Sequence, residues 1–245
     1  IILIIISLVS GFYGIVLLAN LRKKYHFDYL NSFFYYQVLY FLFGLYGILG
    51  NLTMEKILLK FDISNTNIGG IALLFPLFGI PFIVAAWFLF IKVSSEIINK
   101  RVPQVVAIAY FVLATGVTLI FGLYMKRFPE IDSDDFSEKS RMVFYTIDFL
   151  VALYISFMLF INSNKLKPVS HRKFLLRFAS LLLLLSVLRA VSMHFSSNYA
   201  IIGVYFLVLF FSGNLAIILL TKVYLERIAI KETDAGIDSD NLYHQ

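Results

Sequence analysis

The sequence predicts an all-α, polytopic membrane protein with seven transmembrane helices, an outer N-terminus and a cytoplasmic C-terminus. Of its 245 residues, 60% are hydrophobic and only 15% are charged, whereas about 25% charged residues is usual in soluble domains. Apolar runs of about 20 residues, the length that crosses a bilayer, recur along the whole chain. The Lys and Arg residues between those runs are unevenly distributed, and this asymmetry predicts the orientation.

The apolar runs define seven spans. They cover, in order, residues 1–21, 29–50, 68–91, 103–125, 142–161, 174–195 and 200–221. Residues 51–64 carry apolar side chains at helical spacing, which predicts a short amphipathic helix on the membrane surface. The third span contains Pro76 and Pro81, and proline kinks a helix in lipid. Trp87, near the inner end of that span, fits an interfacial aromatic anchor.

The basic residues orient the spans. Fourteen of the 21 Lys and Arg residues lie in segments on one side, six lie on the other side, and Arg189 lies within a span. Because cytoplasmic loops carry the excess of Lys and Arg, the richer side, which includes the C-terminus, is predicted to be cytoplasmic. The chain then divides into a transmembrane domain, residues 1–221, and a cytoplasmic polar tail, residues 222–245. The basic surplus faces anionic inner-leaflet lipid, so the net charge of +6 requires no contact with nucleic acid.

Two opposite charges fall inside neighbouring spans, Asp148 in the fifth and Arg189 in the sixth. A charge at bilayer depth costs roughly 2.5–3.5 kcal/mol on insertion scales, so we expect the two side chains to pair. Counting at about 1.5 Å per residue from Arg141 and from Phe195 puts both about 10 Å below the outer boundary.

A polar patch is predicted around this pair. Ser186 shares a helix face with Arg189, and Tyr46 and Tyr205 are counted into the same outer third of the bundle. One interpretation is a ligand-binding site formed by all five residues, in which Arg189 binds an anionic group and Asp148 either orients that group or exchanges with it. The other is a structural ion pair, or an arginine that extends to the outer surface.

The sequence offers little for catalysis. Cysteine is absent, which excludes disulfides and thiolate chemistry, and none of the four histidines has metal-ligand spacing with a partner. We therefore expect no enzymatic activity, no metal and no cofactor. Asn214, in the inner half of the seventh span, is predicted to form an interhelical hydrogen bond, which is worth about 0.6 kcal/mol.

Three short segments resemble a known family: FGLYGI at residues 43–48, PFIVAAW at residues 81–87 and YLERI at residues 224–228. With seven helices and an outer N-terminus, the chain resembles the sensor region of bacterial membrane-tethered LuxR-type transcriptional regulators. In that family a seven-helix region precedes a cytoplasmic helix-turn-helix domain. The resemblance implies a location in the plasma (inner) membrane of a bacterium and a DNA-binding output domain beyond Gln245.

We therefore predict a signal-sensing module that relays an outer or in-membrane stimulus to a cytoplasmic output domain. Its expected partners are the lipid bilayer, a small ligand and that output domain, and a homodimer is one assembly that the sequence allows. A small-solute transporter or channel is the alternative, and an intramembrane enzyme is least favoured. Since Ile1 already lies within an apolar run, we also expect the chain to be part of a longer protein.

Overall fold

Helices account for the fold. The computed structural model describes residues 2–61, 65–126, 133–163, 169–194 and 199–234, with side chains at 2, 5–46, 79, 81–116, 146–163, 169–189 and 211–230. The helices are α1 (Ile2–Lys24), α2 (Asp28–Phe61), α3 (Asn65–Ile97), α4 (Gln104–Lys126), α5 (Ser133–Ser163), α6 (Val169–His194) and α7 (Tyr199–Asp234). Each of the seven predicted spans corresponds to one helix, and these residues contain no strand, which confirms the all-α class.

Several helices are longer than the predicted spans. The separate surface helix predicted from residue 51 is wrong, because α2 continues without interruption to Phe61. Helix α5 begins at Ser133, nine residues before the predicted span at residue 142, and α7 continues past residue 221 to Asp234. Residues 51–61 and 222–234 contain no Pro or Gly and many good helix formers, so nothing ends the backbone hydrogen bonding there.

The turn between α3 and α4 is tightly closed. Asn99 adopts a left-handed conformation with φ 53°, and the Lys100 amide donates to the Ser95 carbonyl at 2.9 Å, as in a helix C-cap. The Lys100 side chain then donates from Nζ to Asn162 Oδ1 at 2.7 Å. This contact ties the end of α3 to the end of α5.

Six helices form a ring in the order α1, α2, α3, α5, α6, α7, with α7 packed against α1. Aromatic rings fill its interior, including a stack of Tyr36 on Phe90 with centroids 4.4 Å apart. Helix α4 packs on α3 outside the ring, where the Tyr110 hydroxyl donates to the Val84 carbonyl. Side chains on the far face of α4, such as Phe111, are exposed.

Phe211 of α7 packs against a glycine of α1 and a glycine of α2, so the three helices approach closely at this ring. A Cβ atom on Gly11 of α1 would lie 2.8 Å from the Phe211 ring, and one on Gly44 of α2 would lie 2.4 Å from it. The ring is fully buried and meets Tyr40 edge-on. Small residues at helix contacts allow this close approach, which is common between helices in membranes.

Large apolar side chains point outward on several helices. They include Phe12, Phe111, Phe157, Leu184 and Ile230, each more than half exposed. Among the described residues, two segments are long and apolar enough to cross a membrane, Ile5–Lys24 and Thr146–Ser163.

The contact between Phe211 and Gly44 gives a stability prediction. Gly44→Ala places a methyl group inside the Phe211 ring contact, so we expect the free energy of unfolding to fall by about 1–3 kcal/mol. Thermal unfolding in detergent, followed by circular dichroism, measures this. Gly116→Ala is the matched control, because a Cβ there meets nothing within 4 Å and alanine is the better helix former. Equal melting temperatures for the two variants would contradict the packing described.

Candidate functional site

The two opposite charges predicted within neighbouring spans meet inside the ring. Arg189 Nη1 of α6 donates to Asp148 Oδ2 of α5 at 3.2 Å, and the two side chains are 4% and 13% exposed. The predicted pairing is therefore present. The alternative in which the arginine extends to the outer surface is wrong for this structure, because its guanidinium lies within the bundle.

Trp87 of α3 completes the coordination of the carboxylate. Its Nε1 donates to Asp148 Oδ1 at 3.0 Å, so each carboxylate oxygen accepts one hydrogen bond. The prediction that Trp87 is an interfacial anchor is wrong, since its side chain is only 3% exposed. Asp148 was counted near the outer boundary and Trp87 near the inner one. Because the two side chains are in contact, the depth counted for at least one of them is wrong.

The α5–α6 seam holds the charged side chains in place. Ser156 Oγ of α5 donates to the Ala179 carbonyl of α6 at 3.1 Å, two turns from Asp148. Ser186 is 1% exposed on the same face of α6 as Arg189, as predicted from their spacing. Its hydroxyl oxygen has no hydrogen-bond partner among the described atoms.

The leucine run at residues 181–185 of α6 does not face a single side of the helix. Leu184 is exposed, but Leu182 and Leu185 are buried. Five consecutive residues cover more than one helical turn of 3.6 residues, so they cannot all face the same side.

An amide and hydroxyl network lies beside the ion pair. Asn214 Nδ2 of α7 donates to the Tyr36 hydroxyl at 3.0 Å and lies 3.4 Å from Gln37 Oε1. Gln37 Nε2 in turn donates to the Gly11 carbonyl at 3.3 Å. The interhelical hydrogen bond predicted for Asn214 is thus present, and the network links α7, α2 and α1.

The guanidinium connects the ion pair to this network. Tyr36 and Tyr40 are close enough to Arg189 for their hydroxyls to interact electrostatically with its guanidinium. A Cβ atom added to Gly213 of α7 would lie 3.5 Å from Arg189 Nη2, so the guanidinium reaches the α7 backbone. We call the set Asp148, Arg189, Trp87, Tyr36, Gln37 and Asn214 the polar cluster. It connects α2, α3, α5, α6 and α7.

Of the five predicted site residues, Asp148 and Arg189 belong to the polar cluster and Ser186 lies beside them on the same face of α6. The other two are not placed in the cluster. Tyr46 stacks on Phe82 of α3 with centroids 5.6 Å apart, and it lies six residues, or about 9 Å, along α2 from Tyr40. The side chain of Tyr205 lies outside the described residues.

Sequence reasoning missed Trp87 as a partner of Asp148, and it missed Gln37 and Tyr36. Gln37 did carry a signal, because it is the single amide side chain between residues 32 and 50 of an aromatic-rich span. Tyr36 carried none, since α2 contains many tyrosines and their rotation about the helix axis depends on packing.

A second polar group lies at the end of the bundle where α6 begins. His171 Nδ1 shares a hydrogen bond with the Tyr224 hydroxyl, and Phe174 stacks on Tyr224 with centroids 4.1 Å apart. Burial lowers the pKa of His171, so the ring is neutral at pH 7. A cavity of about 630 Å³ lies there, lined by charges of both signs that include Asp28, Glu96 and Lys100.

Two other cavities lie between α6 and α7, about 520 Å³, and between α3 and α4, about 650 Å³. Neither Asp148 nor Arg189 lines any of these three cavities. Among the described residues, no group of three or more His, Asp or Glu side chains is placed to hold a metal ion.

Comparison of this chain with family models, with curated proteins and with solved structures finds no match.

The ion pair predicts strongly coupled mutational effects. Asp148→Asn or Arg189→Gln leaves the other charge buried without its counter-charge, so we expect each to lower the free energy of unfolding by about 3–5 kcal/mol. The double variant carries neither charge and should lose much less than the sum of the two single losses. Equilibrium unfolding in detergent, analysed as a double-mutant cycle, measures the coupling.

Lys92→Gln serves as the control, since Lys92 is exposed and pairs with a half-buried Glu96 at 3.6 Å. That change should alter stability by no more than about 1 kcal/mol. Additive losses for Asp148→Asn and Arg189→Gln would show that the two side chains do not interact in solution.

Proposed function

We propose that the chain is a polytopic membrane protein with seven spans, an outer N-terminus and a cytoplasmic C-terminus. Every helix has at least 23 residues, or about 35 Å, against about 30 Å of hydrocarbon. The strongest support is that the bundle has apolar side chains outside and polar side chains inside, the reverse of a soluble protein. Large apolar side chains such as Phe12 and Phe157 face outward, while Arg189, Gln37 and Asn214 are buried. The basic residues concentrate on the side proposed to be cytoplasmic.

The absence of cysteine makes this topology directly testable. Ser133→Cys, on the proposed outer side, should react with a membrane-impermeant maleimide in intact cells. Arg101→Cys, in the exposed α3–α4 turn on the proposed inner side, should react only after the cells are permeabilised. The extent of labelling of each variant is measured by the shift of the labelled chain on a gel. Labelling of Arg101→Cys in intact cells would contradict the orientation.

For function, the geometry supports a sensor whose state is set at the polar cluster and relayed along α7. Helix α7 contributes Asn214 to the cluster and contacts Arg189 at Gly213. The same helix runs without a break to Asp234, thirteen residues and about 20 Å beyond the predicted membrane boundary at residue 221. A shift or rotation of α7 at the cluster would therefore move its cytoplasmic end. This continuous helix is the observation that carries the proposal.

The stimulus in this proposal acts on the ion pair. An anionic ligand, entering from the outer side or from the bilayer, would compete with Asp148 for Arg189, and the buried Ser186 hydroxyl would supply an additional donor. The structure then corresponds to the paired state, and the ligand favours a second packing of α5, α6 and α7. We place the responding DNA-binding domain on the cytoplasmic side, beyond Gln245. The reading frame that follows the codon for Gln245 checks that element directly.

A small-solute transporter or channel is the second candidate. The observation in its favour is that buried polar groups continue from Arg189 through Asn214 and Gln37 to the Gly11 carbonyl. A permeation pathway needs a hydrated route past these groups. The ion pair lines none of the three cavities described, which favours signal relay over permeation.

A reporter assay distinguishes a functional ion pair from a structural one. In the chain with its native downstream sequence, Arg189→Gln and Asp148→Asn should each change basal reporter output severalfold, because each disrupts the paired state. Lys92→Gln, with the same change in charge as Arg189→Gln, should leave the output unaltered. Immunoblotting of membranes shows whether the variants accumulate equally. Unchanged output at equal abundance would leave the ion pair with a structural role only.

A further inference from the structure

The groove between the start of α6 and the end of α7 combines a basic rim with an apolar floor. Its volume is about 520 Å³. Lys173 and Arg177 contribute one rim from the same face of α6, because they are four residues apart. Arg227 contributes the opposite rim from α7, and all three cations are exposed. Leu220 and Val223 form part of the apolar floor.

The positive charge of the groove is not balanced by any acidic residue in its lining. None of the residues that line it is acidic. The nearest carboxylate along α7, Glu226, pairs with Lys222 at 3.7 Å and does not line the groove. Three cations therefore face one another across an apolar surface, an arrangement that attracts an anion.

The position of the groove selects the kind of anion. In the proposed topology, Phe174 begins the sixth span and residue 221 ends the seventh, so the rim lies at the level of the inner-leaflet headgroups. Leu220 lies on the bilayer side of this boundary, where an acyl chain would run. Arg and Lys side chains suit a phosphodiester, and basic pockets between transmembrane helices on the cytoplasmic side bind anionic headgroups. A free phosphate ion would satisfy the rim but leave the apolar floor empty.

We infer that this groove binds one anionic phospholipid of the inner leaflet, with its phosphodiester between Lys173, Arg177 and Arg227 and an acyl chain along Leu220 and Val223. The inference rests on the proposed membrane location but not on the sensing role. A bound lipid bridges α6, which carries Arg189, to α7, which carries Asn214. It thereby stabilises the contact between the two helices that the polar cluster also joins.

Native mass spectrometry of the purified chain, titrated with phosphatidylglycerol or phosphatidylcholine in detergent, tests the inference. For the unaltered chain we expect the first phosphatidylglycerol to bind at least about tenfold more tightly than phosphatidylcholine. The variant K173Q/R177Q/R227Q should lose this preference. The variant K23Q/K24Q/R172Q, which removes the same charge from exposed residues of the same membrane side outside the groove, should retain it. Exchanging Lys and Arg at the three rim positions should also retain it, which shows that the effect comes from charge.

Four results would overturn the inference. Equal loss of preference in both glutamine variants would mean that general surface charge attracts the lipid. Displacement of phosphatidylglycerol by millimolar inorganic phosphate would mean that the rim is a site for free anions. Loss of the unaltered chain from vesicles after an alkaline carbonate wash would refute the membrane location itself. Retention in washed vesicles without any preference for phosphatidylglycerol would refute the groove alone.

Discussion

The buried ion pair between Asp148 and Arg189 is the constraint on which the arrangement of the bundle depends. Each ion loses several kcal/mol of hydration when it leaves water, and only good geometry with satisfied hydrogen bonds recovers that loss. The carboxylate meets this requirement with one donor on each oxygen, from Arg189 and from Trp87. These contacts determine which faces of α3, α5 and α6 turn inward. On the α7 side, Gly213 leaves room for the Leu185 side chain of α6, since a Cβ atom there would lie 2.9 Å from Leu185 and 3.5 Å from Arg189 Nη2.

Helix α7 makes contacts with three of the helices around the ion pair. It meets Arg189 at Gly213, bonds to α2 through Asn214 and packs Phe211 against glycines of α1 and α2. At its other end it forms the basic groove with α6. One continuous helix thus contacts the ion pair, the aromatic core and the basic groove. In the proposed sensor, this continuity lets a local change in charge pairing act at a distance, because a helix transmits a shift or rotation along its whole length.

Some parts of the candidate site could be predicted and others could not, for identifiable reasons. The pairing of Asp148 with Arg189 follows from the cost of an isolated charge in hydrocarbon, which is a property of the residues themselves. Asn214 was expected to bond across helices because a neutral amide among apolar side chains needs a hydrogen-bond partner. Trp87 was misassigned because a tryptophan near a span end suits both an interface and a buried hydrogen bond. Tyr46 was included by counting depth alone, which says nothing of the direction in which a side chain points around its helix.

The amino-acid sequence by itself determined the number of helices, their approximate positions and the need for two opposite charges to meet. These features depend on hydrophobicity summed over about 20 residues and on the energy of burying a charge, both of which are local quantities. Only the tertiary structure decided that Trp87 donates to Asp148, that Phe211 lies between two glycines, and that Lys173 and Arg177 face Arg227. Those contacts depend on the rotation and relative height of each helix. Rotation and height are set by close packing between segments far apart in the chain, and no local pattern specifies them.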